Sequence, residues 1–370
     1  MTRDSLSSET FLSVSTPGRI CLFGEHQDYL GLPVIASAIS LRVQISGTYL
    51  SDPIAHLRMP DIGQKDSVPL DQELPYRSQR DYLRSSVNVL RRNGYTFSQG
   101  FDAGIRGEIP INSGTSSSSA LVVTWLHLLT RMSDQAATLS GPELALLAHM
   151  AEVTEFDEPG GMMDHYSTAI GGVIYLETGV DARIEELHPQ LGSFILGDSG
   201  EPKETKGILA RVKRGVLGIA AKIRSIDPDA SLKSLESDDL PRFSQLLSTD
   251  EMALLAATVS NRIITRRALD LLRQKDVDHA ALGDLLNQHQ SFLRDPLRIS
   301  TPKIDAMIQA AADAGALGAK INGSGGGGCM FAYAPNDPEK VLESLRPFGR
   351  AWKVDVDEGT RVEPSDRSHA

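Results

Sequence analysis

Apolar and polar positions alternate along Arg19 to Phe23 and again along Leu41 to Tyr49. A period of two places every second side chain on one face, so both segments are expected as strands bracketing the polar turn Gly24 to Gly31. Ser51 to Pro75 is rich in Asp and Pro without a clear period and reads as a long excursion. Helical spacing follows near Arg80 to Arg92, closed by Asn93-Gly94, and recurs near Ser119 to Met132 and Gly141 to Thr154. A short apolar strand, Gly172 to Glu177, ends a first lobe. Phe194 to Gly197 reads as the next strand, and Lys203 to Phe292 keeps a helical period with breaks at Asp227-Pro228 and Pro241. The chain finishes as a helix over Pro302 to Ala314, a strand near Ala319 to Asn322, a glycine run, a strand over Cys329 to Ala334, a helix near Pro338 to Leu345 and a strand near Trp352 to Val356. The expected division is a lobe over 1–185, a second over 186–356 and a frayed polar tail over 357–370.

At 370 residues the chain exceeds what one core usually serves, and it holds no apolar run long enough to cross a bilayer. The net charge of −11 is spread along the sequence without a basic stripe, which argues against nucleic acid or an anionic membrane as partner. Met1 to Phe11 lacks the apolar stretch of a signal peptide, so a cytoplasmic protein is expected, as monomer or homodimer. Cys21 and Cys329, with no basic neighbour in sequence, read as packed thiols. An anionic ligand would have to be bound by local devices rather than by overall charge.

One such device is Pro110-Ile-Asn-Ser-Gly-Thr-Ser-Ser-Ser-Ser-Ala120, which runs directly into the apolar helix Leu121 to Leu129. Small residues with free N–H groups at the positive end of a helix can hold phosphates, and serine hydroxyls can add hydrogen bonds or a Mg²⁺ ligand. A flexible serine linker is the plainer alternative, but a linker would not pass straight into a Leu/Val/Trp helix. No Gly-Lys-Ser/Thr follows the glycine, so this is not a Walker A loop. A second glycine run, Asn322-Gly-Ser-Gly-Gly-Gly-Gly-Cys329, lies between two strands and would suit either a close backbone approach or a flexible hairpin.

The turn Gly24-Glu-His-Gln-Asp-Tyr-Leu-Gly31 gathers two carboxylates and an imidazole, a set that can pair with several hydroxyls; a solvated turn is the alternative. A metal is disfavoured there because no further His or Cys ligand is near. Acidic residues also cluster at Glu152, Glu155, Asp157 and Glu158, and Asp164 follows a Pro159-Gly160-Gly161 break into an apolar segment. A carboxylate so buried needs a partner, and Arg19, leaving Pro17-Gly18, is the candidate.

Together, Pro17 to Tyr29, Pro110 to Ala120 and Asn322 to Cys329 resemble, in order and separation, the three signature motifs of the GHMP kinase superfamily. Gly24-Glu-His-x-Asp-Tyr29, Ala151-Glu152, Gly161-Met-Met-Asp164 and His289 to Asp295 resemble the galactokinase branch most. The resemblance spans Thr16 to Phe331. It implies a two-lobed α+β fold, with an N-terminal ribosomal-S5-like lobe and a C-terminal ferredoxin-like lobe carrying extra helices, and a cleft between them. It further implies ATP and Mg²⁺ as cofactors and a small sugar-like substrate. Carried over by position, Ser113, Gly114, Thr115, Ser116, Ser117, Ser118 and Ser119 would wrap the ATP phosphates. Ser118 and Glu152 would bind Mg²⁺, Gly323 to Gly328 would support the loop, and Asp164 would meet the acceptor hydroxyl with Arg19 beside it. Glu25, His26, Asp28 and Gly161 would face the sugar. Gln27, Leu30 and Asn112-Ser-Gly-Thr115 depart from the usual galactokinase residues and leave the acceptor open. A mevalonate-type acceptor is the alternative among enzymes, and a non-catalytic sugar and ATP sensor is the alternative outside them.

Overall fold

The structure, a computed structural model, describes residues 11–178, 183–202 and 205–364. The expectations for Met1 to Thr10, for the helix start at Lys203 and for the end of the tail, 365–370, lie outside the described residues.

The first half of the chain contributes β1 (Phe11–Phe23), β2 (Val34–Leu50), β3 (Ile54–Met59), β4 (Gln64–Pro69), α1 (Tyr82–Arg92), β5 (Gly100–Gly107), α2 (Ser117–Met132), α3 (Gly141–Glu152), α4 (Met163–Ile170), β6 (Val173–Glu177) and β7 (Arg183–Leu187). The second half contributes β8 (Phe194–Asp198), α5 (Thr205–Ile226), α6 (Thr249–Leu272), α7 (His279–Arg294), α8 (Pro302–Asp313), β9 (Gly318–Ile321), β10 (Cys329–Tyr333), α9 (Pro338–Leu345), β11 (Arg350–Val354) and β12 (Arg361–Val362). An eight-stranded sheet runs β12-β1-β2-β5-β3-β4, with β6 on the other half of β2 and β7 beyond it. A four-stranded antiparallel sheet runs β11-β8-β10-β9. Counted within the second half, that is the strand order 4-1-3-2, the ferredoxin-like arrangement expected from the sequence.

Strand β1 from Ser13 on and the first part of β2, Val34 to Ile39, are buried on both faces, and their alternation feeds two cores. Cys21, Val34 and Ala36 pack with α1 to α4, whereas Ile20, Leu22 and Ile35 pack with Phe194, Phe331 and α7 residues such as Leu286. The two halves therefore share β1 as a common wall, and the turn that leaves it emerges between them. Caps fix the helix starts: Ser248 Oγ accepts from Glu251 N–H at 3.3 Å on α6, and Thr301 Oγ1 accepts from Ile304 N–H at 3.2 Å on α8. Among the described residues no helix is long and apolar enough to cross a membrane.

Three expectations change. The stretch 51–75 holds the hairpin β3–β4, in which Ala55 and Leu57 are buried and His56 and Arg58 are not. The Asp and Pro residues flanking it hide an alternation only a few residues long. Strands β5 and β7 and helix α4 also went unread. The segment 357–364 is not frayed: Val14 pairs with Val362, Thr360 N–H donates to Ala169 O at 3.1 Å, and Arg42 Nη2 donates to Gly359 O at 2.7 Å. Its polar side chains and backbone find partners on β1 and β2, so composition alone misjudged it.

Candidate active site

The cleft of about 210 Å³ where the two halves meet is lined by parts of all the motifs above, including Arg19, Asp28, Ser118, Glu152, Asp164 and Gly323. Its phosphate-loop side begins with Gly114 and Ser116 in the left-handed region, at φ 90° and 61°. Ser116 is the residue before α2, and Ala120 N–H donates to its carbonyl at 2.9 Å. The N–H groups that follow lack helical partners at the positive end of a sixteen-residue helix, so they can face an anion. The side chains divide the work. Ser113 Oγ donates to Pro110 O at 2.7 Å and lies 2.9 Å from Thr115 Oγ1, so these two shape the loop from inside. Ser117 and Ser118 are half-buried and line the cleft.

The late glycine run packs under this loop. Cys329 N–H donates to Ser113 O at 2.7 Å, and Asn322 Nδ2 donates to Gly114 O at 2.9 Å. Gly328, at φ 75°, would bring any Cβ to 2.5 Å from Ser113 O, so a side chain there would push the loop away.

On the opposite wall, Asp164 sits in the first turn of α4 and pairs with Arg19, whose Nε and Nη2 donate to Oδ1 at 2.9 and 2.6 Å. Arg19 also donates through Nη1 to Gly114 O. One guanidinium thus joins the acidic wall to the phosphate loop. Asp164 remains 34 % exposed on its side chain, enough to meet a ligand, while Arg19 is 4 % exposed. Burial alone would raise the Asp164 carboxyl, but the charges of Arg19 and His165 and the Arg19 hydrogen bonds bring it below its ordinary value. It is ionised at neutral pH.

Asp28 lies beside it. Its Oδ1 accepts from Tyr29 N–H at 2.9 Å and its Oδ2 from Met163 N–H at 3.4 Å, at the amino end of α4. Burial, followed by the Asp164 charge, pushes the Asp28 carboxyl up to about 6. Gly161 covers this carboxylate so closely that a Cβ would stand 1.8 Å from Oδ2.

The other two turn residues, Glu25 and His26, also line the cleft and hold protein partners there. Glu25 is 1 % exposed and forms an ion pair with Lys320, which is itself fully buried. Its carboxylate is held by that pair at the buried edge of the cleft. His26, at φ 64°, has Nδ1 2.7 Å from Tyr29 Oη and Nε2 3.0 Å from Ser324 O, so its ring bridges to the glycine run. Glu152 is 8 % exposed, and His165 Nε2 donates to its Oε2 at 2.9 Å.

Lys320 and His165 have no role among the sequence expectations, and Asn322 has one only as the start of the glycine run. A lysine and an asparagine in an otherwise apolar strand were the available signal, but their partners lie about three hundred positions earlier in the chain. Arg80 and Tyr82 line the cleft as well, with Arg80 Nε and Nη2 each 3.0 Å from a Glu158 oxygen. Cys21 and Cys329 are buried thiols not joined in a disulfide, and burial raises the Cys21 pKa. Among the described residues no three His, Cys, Asp or Glu side chains gather as a metal centre.

A serine-rich loop at a helix start thus faces an Arg-paired carboxylate across a cleft beside an eight-stranded and a ferredoxin-like sheet, the arrangement that the sequence motifs implied. The chain belongs to the GHMP kinases, a family of ATP-dependent kinases: the description "GHMP kinases N terminal domain" matches residues 81–172, "GHMP kinases C terminal" matches 268–351, and "Galactokinase galactose-binding signature" matches 5–48. It is 28 % identical over 363 residues to a mevalonate kinase of Thermococcus onnurineus, covering 94 % of this chain and 97 % of that one. It is 29 % identical over 338 residues to a galactokinase of Haemophilus influenzae, covering 88 % and 86 %. In fold it is similar to Lactococcus lactis galactokinase complexed with galactose, with TM-score 0.82, 21 % identity and 95 % of each chain covered. Methanococcus jannaschii mevalonate kinase gives TM-score 0.71 at 18 % identity, over 96 % of this chain and all of that one.

Proposed function

We propose that the chain transfers the γ-phosphoryl group of ATP to a hydroxyl of a sugar, at the anomeric position as a galactokinase-like 1-kinase. The observation that carries this reading is the carboxylate pair Asp28 and Asp164 on one cleft wall, one held by Gly161 and α4 and the other by Arg19. Two acceptors side by side suit a ligand with neighbouring hydroxyls. The match of residues 5–48 to a galactose-binding signature supports the same choice.

Backbone N–H groups over Ser113 to Ser119 and the positive end of α2 hold the phosphates. Ser118 and Glu152 offer hard oxygen donors, and His165 fixes one Glu152 oxygen, a set that fits a Mg²⁺ retaining several waters. Magnesium supplies charge neutralisation between the phosphates when bound. Arg19 keeps Asp164 in register with the phosphate loop, so acceptor and donor are positioned by one side chain. Asp164, ionised and cation-paired, orients the attacking hydroxyl and receives its proton late, as a loose transfer demands little base strength early.

The mevalonate reading is kept because a mevalonate kinase matches 94 % of the chain at 28 % identity, and because Glu25 and His26, though they line the cleft, already hold protein partners. ADP release with ATP and Mg²⁺, measured for galactose, its epimers, other hexoses, pentoses and mevalonate, tests the proposal. A preferred sugar at least tenfold above mevalonate in kcat/KM is expected, and turnover of mevalonate alone would overturn it.

A further inference from the structure

We propose that Lys320 is a positioning residue that pins the acceptor turn, Gly24 to Gly31, to the C-terminal sheet and so sets the acceptor wall against the phosphate loop. The proposal rests on the reading of that turn as the acceptor wall. Lys320 Nζ pairs with Glu25 Oε1, donates to Cys21 O at 2.9 Å and to Ile321 O at 3.1 Å, and stands 4.9 Å from the centre of the Phe331 ring. Lysine and carboxylate are 0 % and 1 % exposed on their side chains and come from opposite halves of the chain. Beneath them His289, fully buried on α7, stacks on Phe23 at 5.9 Å and holds Nδ1 3.6 Å from Glu25 Oε2. Burial and the Lys320 charge lower the His289 pKa well below its usual value, so the ring is neutral and Lys320 is the cation that answers Glu25.

A buried ion pair of this kind is a poor source of net stability, because desolvating both charges offsets most of their attraction. What it supplies is register, since a charged group has one acceptable partner where an apolar one has many. The neighbouring contacts extend the same register. Asn322, two residues on, accepts from Cys21 N–H at 2.9 Å through Oδ1 and donates to Gly114 O through Nδ2. Ser324 O, two further, meets His26 Nε2. Alternate residues 320, 322 and 324 therefore touch the acceptor turn, β1 with the phosphate loop, and the turn again. Lys320 governs the acceptor arm of this comb and Asn322 the phosphate arm.

The test compares wild type, Lys320→Met and the neutral pair Glu25→Gln/Lys320→Met, which leaves no unpaired buried charge and keeps the comparison valid where the single variant fails to fold. Hydrogen exchange is followed over 24–31 and over 113–120, with AMP-PNP affinity and the KM of whichever acceptor the wild type turns over. We expect faster exchange confined to 24–31, acceptor KM raised about tenfold, and AMP-PNP affinity within about twofold of wild type, in the double variant as in any folded single variant. Unchanged exchange over 24–31 in the double variant would overturn the proposal by showing that Lys320 does not hold the turn. Faster exchange with unchanged acceptor KM would overturn it differently, by showing that the turn is not the acceptor wall.

Discussion

Gly161→Ala isolates the acceptor geometry with one methyl group. Gly161 is outside the left-handed region, so alanine fits its backbone and the effect is steric. The added Cβ would stand 1.8 Å from Asp28 Oδ2, 2.2 Å from its Cγ and 2.7 Å from Oδ1, so the whole carboxylate must retreat. Restoring ordinary contact takes a shift of more than about 1.5 Å, and a displacement of even about 1 Å in a positioned group costs about a hundredfold in rate, or about 3 kcal/mol of transition-state stabilisation. The loss should fall on kcat/KM for the acceptor, because the nearest atoms to the added methyl are those of the Asp28 carboxylate and not of the 113–119 loop. Coupled ADP-release kinetics over acceptor and ATP concentrations, with nucleotide affinity from calorimetry, separate the two. Acceptor kcat/KM within about threefold of wild type would refute the reasoning.

Asp164→Asn should lower kcat about a hundredfold or more with ATP affinity kept, since it removes the negative charge beside Arg19 and puts an NH2, which cannot take the hydroxyl proton, in place of one carboxylate oxygen; steady-state kinetics and nucleotide calorimetry check this. Ser118→Ala and Glu152→Gln should each raise the Mg²⁺ concentration for half-maximal rate by about tenfold, read from Mg²⁺ titration at fixed ATP. Asp28, with its carboxyl raised to about 6 by burial and by Asp164, accepts from hydroxyls through both oxygens and as a charged acceptor only when ionised, so acceptor kcat/KM should rise with pH through about 6 and Asp28→Asn should lose that limb. The same raised value means that Asp28's contribution to stability is present below the unfolded carboxyl pKa and is lost as pH rises through about 6. Thermal melting should accordingly show Asp28→Asn gaining on wild type across that interval.

Much of the site was legible because its parts are local in sequence. The serine loop at a helix start, the glycine run and the carboxylate after Pro159-Gly160-Gly161 each carry their chemistry within a few residues, and the Arg19–Asp164 pairing followed from the need of a buried carboxylate for a cation. Glu25 shows where this stops. It lines the cleft, but its ion pair with Lys320 and its approach to His289 are made only in the folded chain. The same limit hid β5, where Phe101, Ala103 and Ile105 alternate correctly but glycines at 100, 104 and 107 weaken the strand signal. It also hid the 357–364 segment, whose polar residues are satisfied by an edge that composition cannot see.

The central claim is that this cleft phosphorylates a sugar, and product identification from a mixture tests it most directly. Equimolar galactose and mevalonate, incubated with ATP, Mg²⁺ and wild-type protein, should yield a sugar phosphate by phosphorus NMR, with coupling to the anomeric proton and at least about tenfold more of it than of phosphomevalonate. Phosphomevalonate as the sole product would contradict the account.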